Sequence, residues 1–356
     1  MITTSFPRSK EDYSGIFVLR LCRALVAEGR EVDVVAPADG ESPSAEEMER
    51  CRIHRFSYFF PRKWQGVAYG PGGIPANLNR NPFLLLQIPF FLLGFFWKTY
   101  RIARSAELIH VHWIYSGIIA SAVNALRGTP FVVTLRGSDA LRSRRDGVSR
   151  SVSLWVLKRA AFITTVSEDL RNWLLSEGVP ADRVAFIRNG VELNETRFER
   201  DSPQFTFLFV GSLVPGKGVR FLIDAFSLVV RRDGGVRLVL VGEGEEREML
   251  QERARLQGVG DIVDFVGAES PDRVPLRMSQ ADCLVLPSLS EGSSNVVLEA
   301  MASSLPVVAS DIPGMREIVQ DGITGLLAKP QDTEDLTEKL LKVVRDEELR
   351  RRMGEK

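Results

Sequence analysis

Cysteine and histidine are scarce. Cys22, Cys51 and Cys283, with His54, His110 and His112, are the only ones in 356 residues, too few and too scattered for a disulfide framework or a zinc cluster. Charge of one sign is not in excess either. The 46 Lys and Arg are matched by 46 Asp and Glu, which removes the basic surplus of a protein held to nucleic acid by its phosphates; no nucleic-acid partner is expected. The start, Met1-Ile-Thr-Thr-Ser-Phe-Pro-Arg8, lacks the basic and then apolar pattern of a secretory leader, so the expected location is cytoplasmic. Long hydrophobic runs are missing as well. The longest, residues 82–97, has 16 residues broken by Gln87, Pro89 and Gly94, short of the ~20 needed to cross a bilayer. It is rich in Phe and Leu and is followed by Lys98, Arg101 and Arg104. That pattern fits an interfacial segment on the inner face of an anionic membrane, or a buried pair of helices.

What is present is core-forming sequence. With 44% hydrophobic residues, the chain can fill about two domains. Short runs rich in Val, Ile and Phe at 31–36, 108–112, 131–135, 162–166 and 184–187 are each followed by a turn and a helical pattern, the signature of buried parallel strands with crossover helices. The pattern restarts at 205–210, 237–241, 262–266, 283–286 and 306–309, with helices beginning near Gly218, Glu245, Asn295 and Met315. The expected fold class is α/β, two tandem Rossmann-like domains facing a cleft: residues 1–195, a linker at 196–204, and residues 205–356. Open α/β sheets bind ligands at the carboxyl ends of their strands. There are no repeats or heptads, and residues 332–356 read as one charged amphipathic helix.

The most specific segment is Glu291-Gly292-Ser293-Ser294-Asn295-Val296-Val-Leu-Glu299-Ala-Met-Ala302. Ser293 or Ser294 is suited to cap a helix whose unpaired amides around Asn295 and Val296 form an anion site for a diphosphate. Glu291 in the loop and Glu299 one turn in stand roughly 10 Å apart by helical rise, too far for a glycosidase pair at ~5–9.5 Å. Two acceptors flanking a phosphate site suit a nucleotide sugar, though a capping loop with solvated carboxylates has the same spacing. Gly211-Ser212-Leu-Val-Pro-Gly-Lys217-Gly218 places a lysine at a helix start, either for a phosphate or as an ordinary strand-to-helix turn. Gly218 and Val219 follow Lys217, so no hydroxyl is present for a Walker magnesium and an ATPase is disfavoured. Gly242-Glu-Gly244 lacks the third glycine of a dinucleotide fingerprint and reads as a turn lining the cleft. His110 and His112 share one face of a strand without a third ligand, so no metal site is expected. Arg136 and Asp139 fit either an anion clamp or a salt bridge to each other.

These segments, together with Phe265-Val-Gly267, Ser310-Asp-Ile-Pro-Gly314-Met-Arg-Glu317 and Gly322-Ile-Thr-Gly325, resemble the retaining family-4 glycosyltransferases of GT-B fold. The first half resembles them more loosely, through Ser5-Phe-Pro-Arg8 with Ser14-Gly15, Ile109-His-Val-His112-Trp113, Val132-Val-Thr-Leu-Arg136-Gly-Ser-Asp139 and Ile187-Arg-Asn-Gly-Val191. The resemblance implies that Glu291 holds hydroxyls of the transferred sugar, Glu299 the ribose, and Ser293 to Val296 with Lys217 the diphosphate. Gly15, Gly211, Ser212, Gly242, Gly244, Gly267 and Gly292 complete the implied donor site, and His112, Arg136 and Asp139 lie on the acceptor side. It further implies retention of configuration without a metal or other cofactor. Catalysis would rest on Glu291, Lys217 and Arg136, with a UDP or GDP sugar as donor and a glycan or lipid-linked hydroxyl as acceptor. An epimerase or glucan phosphorylase of the same fold, and an inactive sugar-nucleotide-binding module, remain open alternatives. Two positions depart from the family: Ser212 stands where many relatives have arginine, and Arg136 where many have histidine. The opening apolar strand of relatives corresponds here to residues 1–4, and their last crossing helix lies past Lys356, so weaker domain closure is expected.

Overall fold

The computed structural model describes residues 1–9, 11–70, 73–137, 140, 143–144, 147–191 and 204–356. Asp139 and residues 196–203 of the expected linker lie outside them. The chain separates into two compact units, Met1–Arg188 and Asn189–Lys356, each an α/β layer structure.

The first unit has strands β1 (Asp33–Pro37), β2 (Ala45–Met48) and β3 (Cys51–Phe56), ordered β1-β3-β2, and β4 (Ile109–His112), β5 (Phe131–Leu135), β6 (Phe162–Thr165) and β7 (Val184–Phe186) in sequence order. Ile2 joins the two sets by parallel bridges to Val35 and Val111, so a segment of a few residues fills the strand position between β1 and β4. Backbone bonds from Thr3 N to the Val35 carbonyl (3.1 Å) and from His112 N to the Ile2 carbonyl (3.0 Å) hold it there. β5 buries Phe131, Val133 and Leu135 completely on one face and Thr134 almost completely on the other, as expected of a parallel strand covered on both faces. The β2–β3 hairpin is antiparallel and was not expected from the sequence.

The second unit is one parallel sheet in the order β10-β9-β8-β11-β12-β13, with β8 (Phe205–Val210), β9 (Val236–Val241), β10 (Val263–Gly267), β11 (Cys283–Leu286), β12 (Val307–Ser310) and β13 (Gly325–Ala328). The chain builds outward from β8 through β9 to β10, then returns to the other side of β8 with β11. The switch point between β8 and β11 opens the crevice in which such sheets bind ligands. The Val219–Arg232 helix packs on this sheet through Val219, Leu222, Ile223, Phe226 and Val229, all fully buried, at the spacing of one helical face. Each contributes about 1.5–3 kcal/mol of burial. Phe226 meets Phe207 edge-on at 6.3 Å between centroids, so Phe226→Ala would cost about 3–5 kcal/mol. The terminal segment is two helices, Thr333–Arg345 and Glu347–Glu355, rather than the single one expected. Asp346 leaves helical geometry between them and its side chain accepts from the Leu349 amide, starting the second helix.

Residues 82–102 form one helical run, a 3-10 segment Pro82–Gln87 continuing into the Ile88–Ile102 helix. At 21 residues it is long and apolar enough to cross a membrane by length and composition, longer than the 16 residues counted in the sequence. One face is in the core: Phe91 and Phe95 lie against Phe56 with ring centroids 5.2 and 4.8 Å away.

Candidate active site

In the second unit the two sequence-marked loops leave the carboxyl ends of β8 and β11, on either side of the switch point. They are fastened together by backbone, Leu289 N donating to the Gly216 carbonyl at 2.9 Å. Gly218 makes that approach possible. Its φ is +66°, and a side chain there would collide with the Pro287 carbonyl oxygen. At the meeting point Lys217 Nζ donates to Glu291 Oε1, and Ser288 Oγ donates to the same oxygen at 2.8 Å. Glu291 keeps only 12% of its side chain exposed, against 28% for Lys217, so their charges face each other in a partly dry site where electrostatic contacts strengthen.

The Asn295–Ala302 helix begins just beyond Glu291, with Ser294 in the N-cap position. Neither serine behaves as expected for a cap. Ser294 has extended cap geometry but its side chain makes no capping bond, and the buried Ser293 hydroxyl has no hydrogen-bond partner. The amides of the first turn therefore lack side-chain capping by Ser294, and their partial positive charge is available to an anion. Glu299 sits in the second turn of this helix.

Gly211, Gly242 and Gly244 do structural work first. A side chain at Gly242 would strike the Gly211 carbonyl and one at Gly244 the Leu213 carbonyl. Bonds from Gly211 N to Val241 O and from Leu213 N to Glu243 O, both 2.9 Å, link the two loops. Ser212 lies between them and contributes its carbonyl to the Val214 amide at 3.0 Å. Gly267 closes β10 with φ +90° and accepts from Gly242 N at 2.8 Å. Sequence reasoning did not single out Ser288. It also did not foresee that Gly314 backs the glutamate loop, where a side chain would meet the Glu291 carbonyl. The Ser288–Glu291 contact has no signal in the sequence, because both residues lie in a loop before the helix starts at Asn295.

In the first unit the structure brings together two of the residues marked in the sequence. Arg136, just past β5, lies 3.1 Å from His112 Nδ1 through Nη2 and covers the Phe17 ring at 4.4 Å. Arginine can only donate, so Nδ1 accepts and the proton of the neutral imidazole sits on Nε2, which is buried without a partner. His110 stacks on His112 at 4.5 Å and bonds Thr134 Oγ1 at 2.7 Å. Burial, then the neighbouring positive charges, pushes the His110 pKa down to about 3; burial, His110 and Arg136 push that of His112 well below its usual value. Both are neutral at physiological pH. Among the described residues no group of three His, Cys, Asp or Glu side chains is placed to hold a metal ion. Gly15 has φ +67° at the start of the Ile16–Ala27 helix, where a side chain would collide with the Ser5 carbonyl.

Comparison with known proteins follows the same two halves. Residues 14–190 match the family described as glycosyl transferase 4-like domain, and residues 192–356 the family described as glycosyl transferases group 1. An uncharacterized glycosyltransferase of Methanocaldococcus jannaschii is 34% identical over 254 residues, 71% of this chain and 70% of that protein. The alpha-D-kanosaminyltransferase of Streptomyces kanamyceticus is 28% identical over 69% of this chain and 70% of its own length. Among solved structures, the sucrose-phosphate synthase of Thermosynechococcus elongatus superposes with TM-score 0.79 at 24% identity, covering 95% of this chain and 86% of that one. The Anabaena protein HepE, in complex with UDP-glucose, superposes with TM-score 0.77 at 18% identity, covering 99% and 91%. With a sheet order, a pair of loops and a family match in each half that agree, the chain belongs to the group-1, family-4-like glycosyltransferases of GT-B fold.

Proposed function

We propose that this protein is a retaining, metal-independent hexosyl- or related transferase that moves a sugar from a nucleoside diphosphate, UDP or GDP, to a hydroxyl of a glycan or lipid-linked acceptor. The observation that carries the reading is the Lys217–Glu291 pair at the switch point, beside the start of the Asn295–Ala302 helix. An ammonium with three donors can keep Glu291 and still reach a phosphate oxygen. Glu291 has acceptor capacity left for sugar hydroxyls. Helix amides and Lys217 then stabilise the charge that develops on the departing diphosphate while the sugar gains oxocarbenium character. The acceptor hydroxyl attacks the anomeric carbon from the face the diphosphate leaves, and its proton passes to a departing phosphate oxygen. No acid is needed for the leaving group, and no enzymatic nucleophile is assigned. HepE, a structural relative, is described in complex with UDP-glucose, which favours trying uridine donors first.

The test is a thermal-shift screen with nucleotides and nucleotide sugars, followed by turnover assays. A donor at a hundredfold its dissociation constant should stabilise the fold by about 2.7 kcal/mol. Transfer must then require an acceptor and retain the anomeric configuration. Conversion of donor alone would identify an epimerase, turnover dependent on inorganic phosphate and a glucan a phosphorylase, and binding without turnover across an acceptor panel an inactive module. Any of these defeats the reading.

A further inference from the structure

We propose that the face of the first unit carrying Phe60, Trp64, Phe83, Leu86, Leu93 and Trp97 docks in the plane of an anionic lipid bilayer, an interaction that stands apart from the choice of sugar donor. These side chains are large, apolar and open to solvent, with Phe60, Phe83, Leu86 and Leu93 exposed by 86%, 80%, 70% and 64%. They form one surface although they come from two stretches of chain. Gln87 Nε2 donates to the Trp64 carbonyl at 2.8 Å, and the Phe59 and Phe90 rings meet edge-on at 6.2 Å, which fastens the 60–64 turn to the 82–102 helical run. A contiguous apolar face of this kind needs a partner.

Charge decides which partner. Residues 56–106, which hold the proposed face, contain six Lys and Arg and no Asp or Glu, in a chain balanced at 46 of each sign. Lys63, Arg80, Arg101 and Arg104 of that stretch are exposed, and Arg101 lies over the Trp97 ring at 5.1 Å. Apolar side chains edged by tryptophan and by cations match the boundary between acyl chains and anionic headgroups. A second copy of this chain docking face to face would set these cations against one another. Nor does the run need to cross the bilayer. Its other face is committed to the core through Phe91, Phe95 and Thr99, and crossing would expose the Phe56 cluster those residues cover. Lying in the interface satisfies both faces at once.

Flotation of the full chain with vesicles of phosphatidylcholine, alone or mixed with phosphatidylglycerol, tests this. Binding is expected to the mixed vesicles, to weaken with added salt, and to shift tryptophan emission to the blue. Leu86→Ser with Leu93→Ser should lower the partition coefficient about tenfold or more, and Arg101→Glu with Arg104→Glu should abolish the preference for the anionic lipid. All four positions are solvent-facing, and Phe83→Ser alone reads the same loss if a double variant melts early. Wild-type protein that fails to float with the mixed vesicles, or serine variants that float as well as wild type, would overturn the proposal. So would a solution dimer that the same serine substitutions dissociate, since that gives the face to a second copy.

Discussion

Lys217 and Glu291 lie 74 positions apart and on opposite sides of the β8–β11 switch point, yet they form an ion pair reinforced by the Ser288 hydroxyl. The pair couples the group read as neutralising the diphosphate to the group read as holding the sugar. Lys217→Met, which removes a donor to the departing diphosphate, and Glu291→Gln, which removes the charged acceptor for the sugar hydroxyls, should each lower kcat/KM by about 10²–10³, the size of losing one transition-state contact. Stability should fall by only about 1–3 kcal/mol because the pair is partly open to water. The double variant should lose less than the product of the single losses, since both act in one unit. Steady-state kinetics with urea unfolding as control checks this, and Lys217→Met retaining near-wild-type turnover would remove the lysine from catalysis.

Glycines in the donor loops are not equivalent, and the difference is measurable. Gly218 holds φ +66° with its Cα against the Pro287 carbonyl, whereas a side chain at Gly216, in the adjacent 3-10 turn, meets open space. Gly218→Ala must either separate the loops or strain them, so donor affinity should fall about tenfold or more, with a loss of about 1–3 kcal/mol in stability. Gly216→Ala should leave affinity alone and gain about 0.4–1 kcal/mol by restricting the unfolded chain. Calorimetric titration with nucleotide and urea melts on both variants decide the matter. Equal behaviour of the two would show that the loop contact does not shape the site.

The parts of this fold legible in the sequence are those whose signal is local. β5 announces itself because Phe131, Val133 and Leu135 are buried in a parallel sheet, and the donor loops because their glycines accept backbone contacts that no side chain permits. The β2–β3 hairpin is silent for a specific reason. Its two-residue turn is Glu49-Arg50, with φ of +52° and +62°, values that Asn-Gly would normally advertise; its strand β2 is polar and largely open to solvent. Ile2 bridges two strands from a segment too short to show a period. The Lys217–Glu291 contact is invisible until the sheet order places β8 beside β11. The capping expectation for Ser294 failed because composition gives the residue suited to a cap and not the rotamer it adopts.

The two stacked histidines set a pH dependence of stability rather than of catalysis. In the unfolded chain both imidazoles take up protons below about pH 6.5. In the folded protein His110 stays neutral down to about 3, and His112 also titrates well below its usual value. The unfolded state therefore binds more protons across that interval, and stability is lost as pH falls from about 6.5, by up to about 1.4 kcal/mol per pH unit for each histidine. Aspartates and glutamates titrate lower, at about 4 in the unfolded chain. The buried Met1 α-amino group, held below its usual value by burial, adds a slope of the same sign from about pH 8 downwards, so the His110 share is the part that His110→Gln removes. Urea unfolding from about pH 8 to about pH 4.5 should show that slope, and His110→Gln should reduce it. A flat profile in wild type would mean that the imidazoles protonate in place.

Ser293 offers the sharpest separation of stability from binding. Its hydroxyl is buried without a hydrogen-bond partner at the start of the Asn295–Ala302 helix, a situation that costs folding free energy unless something else satisfies the group. A phosphate oxygen at the helix amides would do so, and the serine would then favour the complex over the free protein. Ser293→Ala should leave the free protein as stable as wild type or slightly more so, because an unsatisfied donor is removed. It should weaken nucleotide binding by about 1–1.5 kcal/mol, or roughly tenfold in Kd. Ser294→Ala makes the contrast, since Ser294 forms no capping bond and its loss should fall below the ~1 kcal/mol of an ordinary cap. Melting temperatures with and without UDP or GDP report both quantities in one experiment. If Ser293→Ala destabilises the free protein while binding nucleotide normally, the hydroxyl is structural and the diphosphate lies elsewhere.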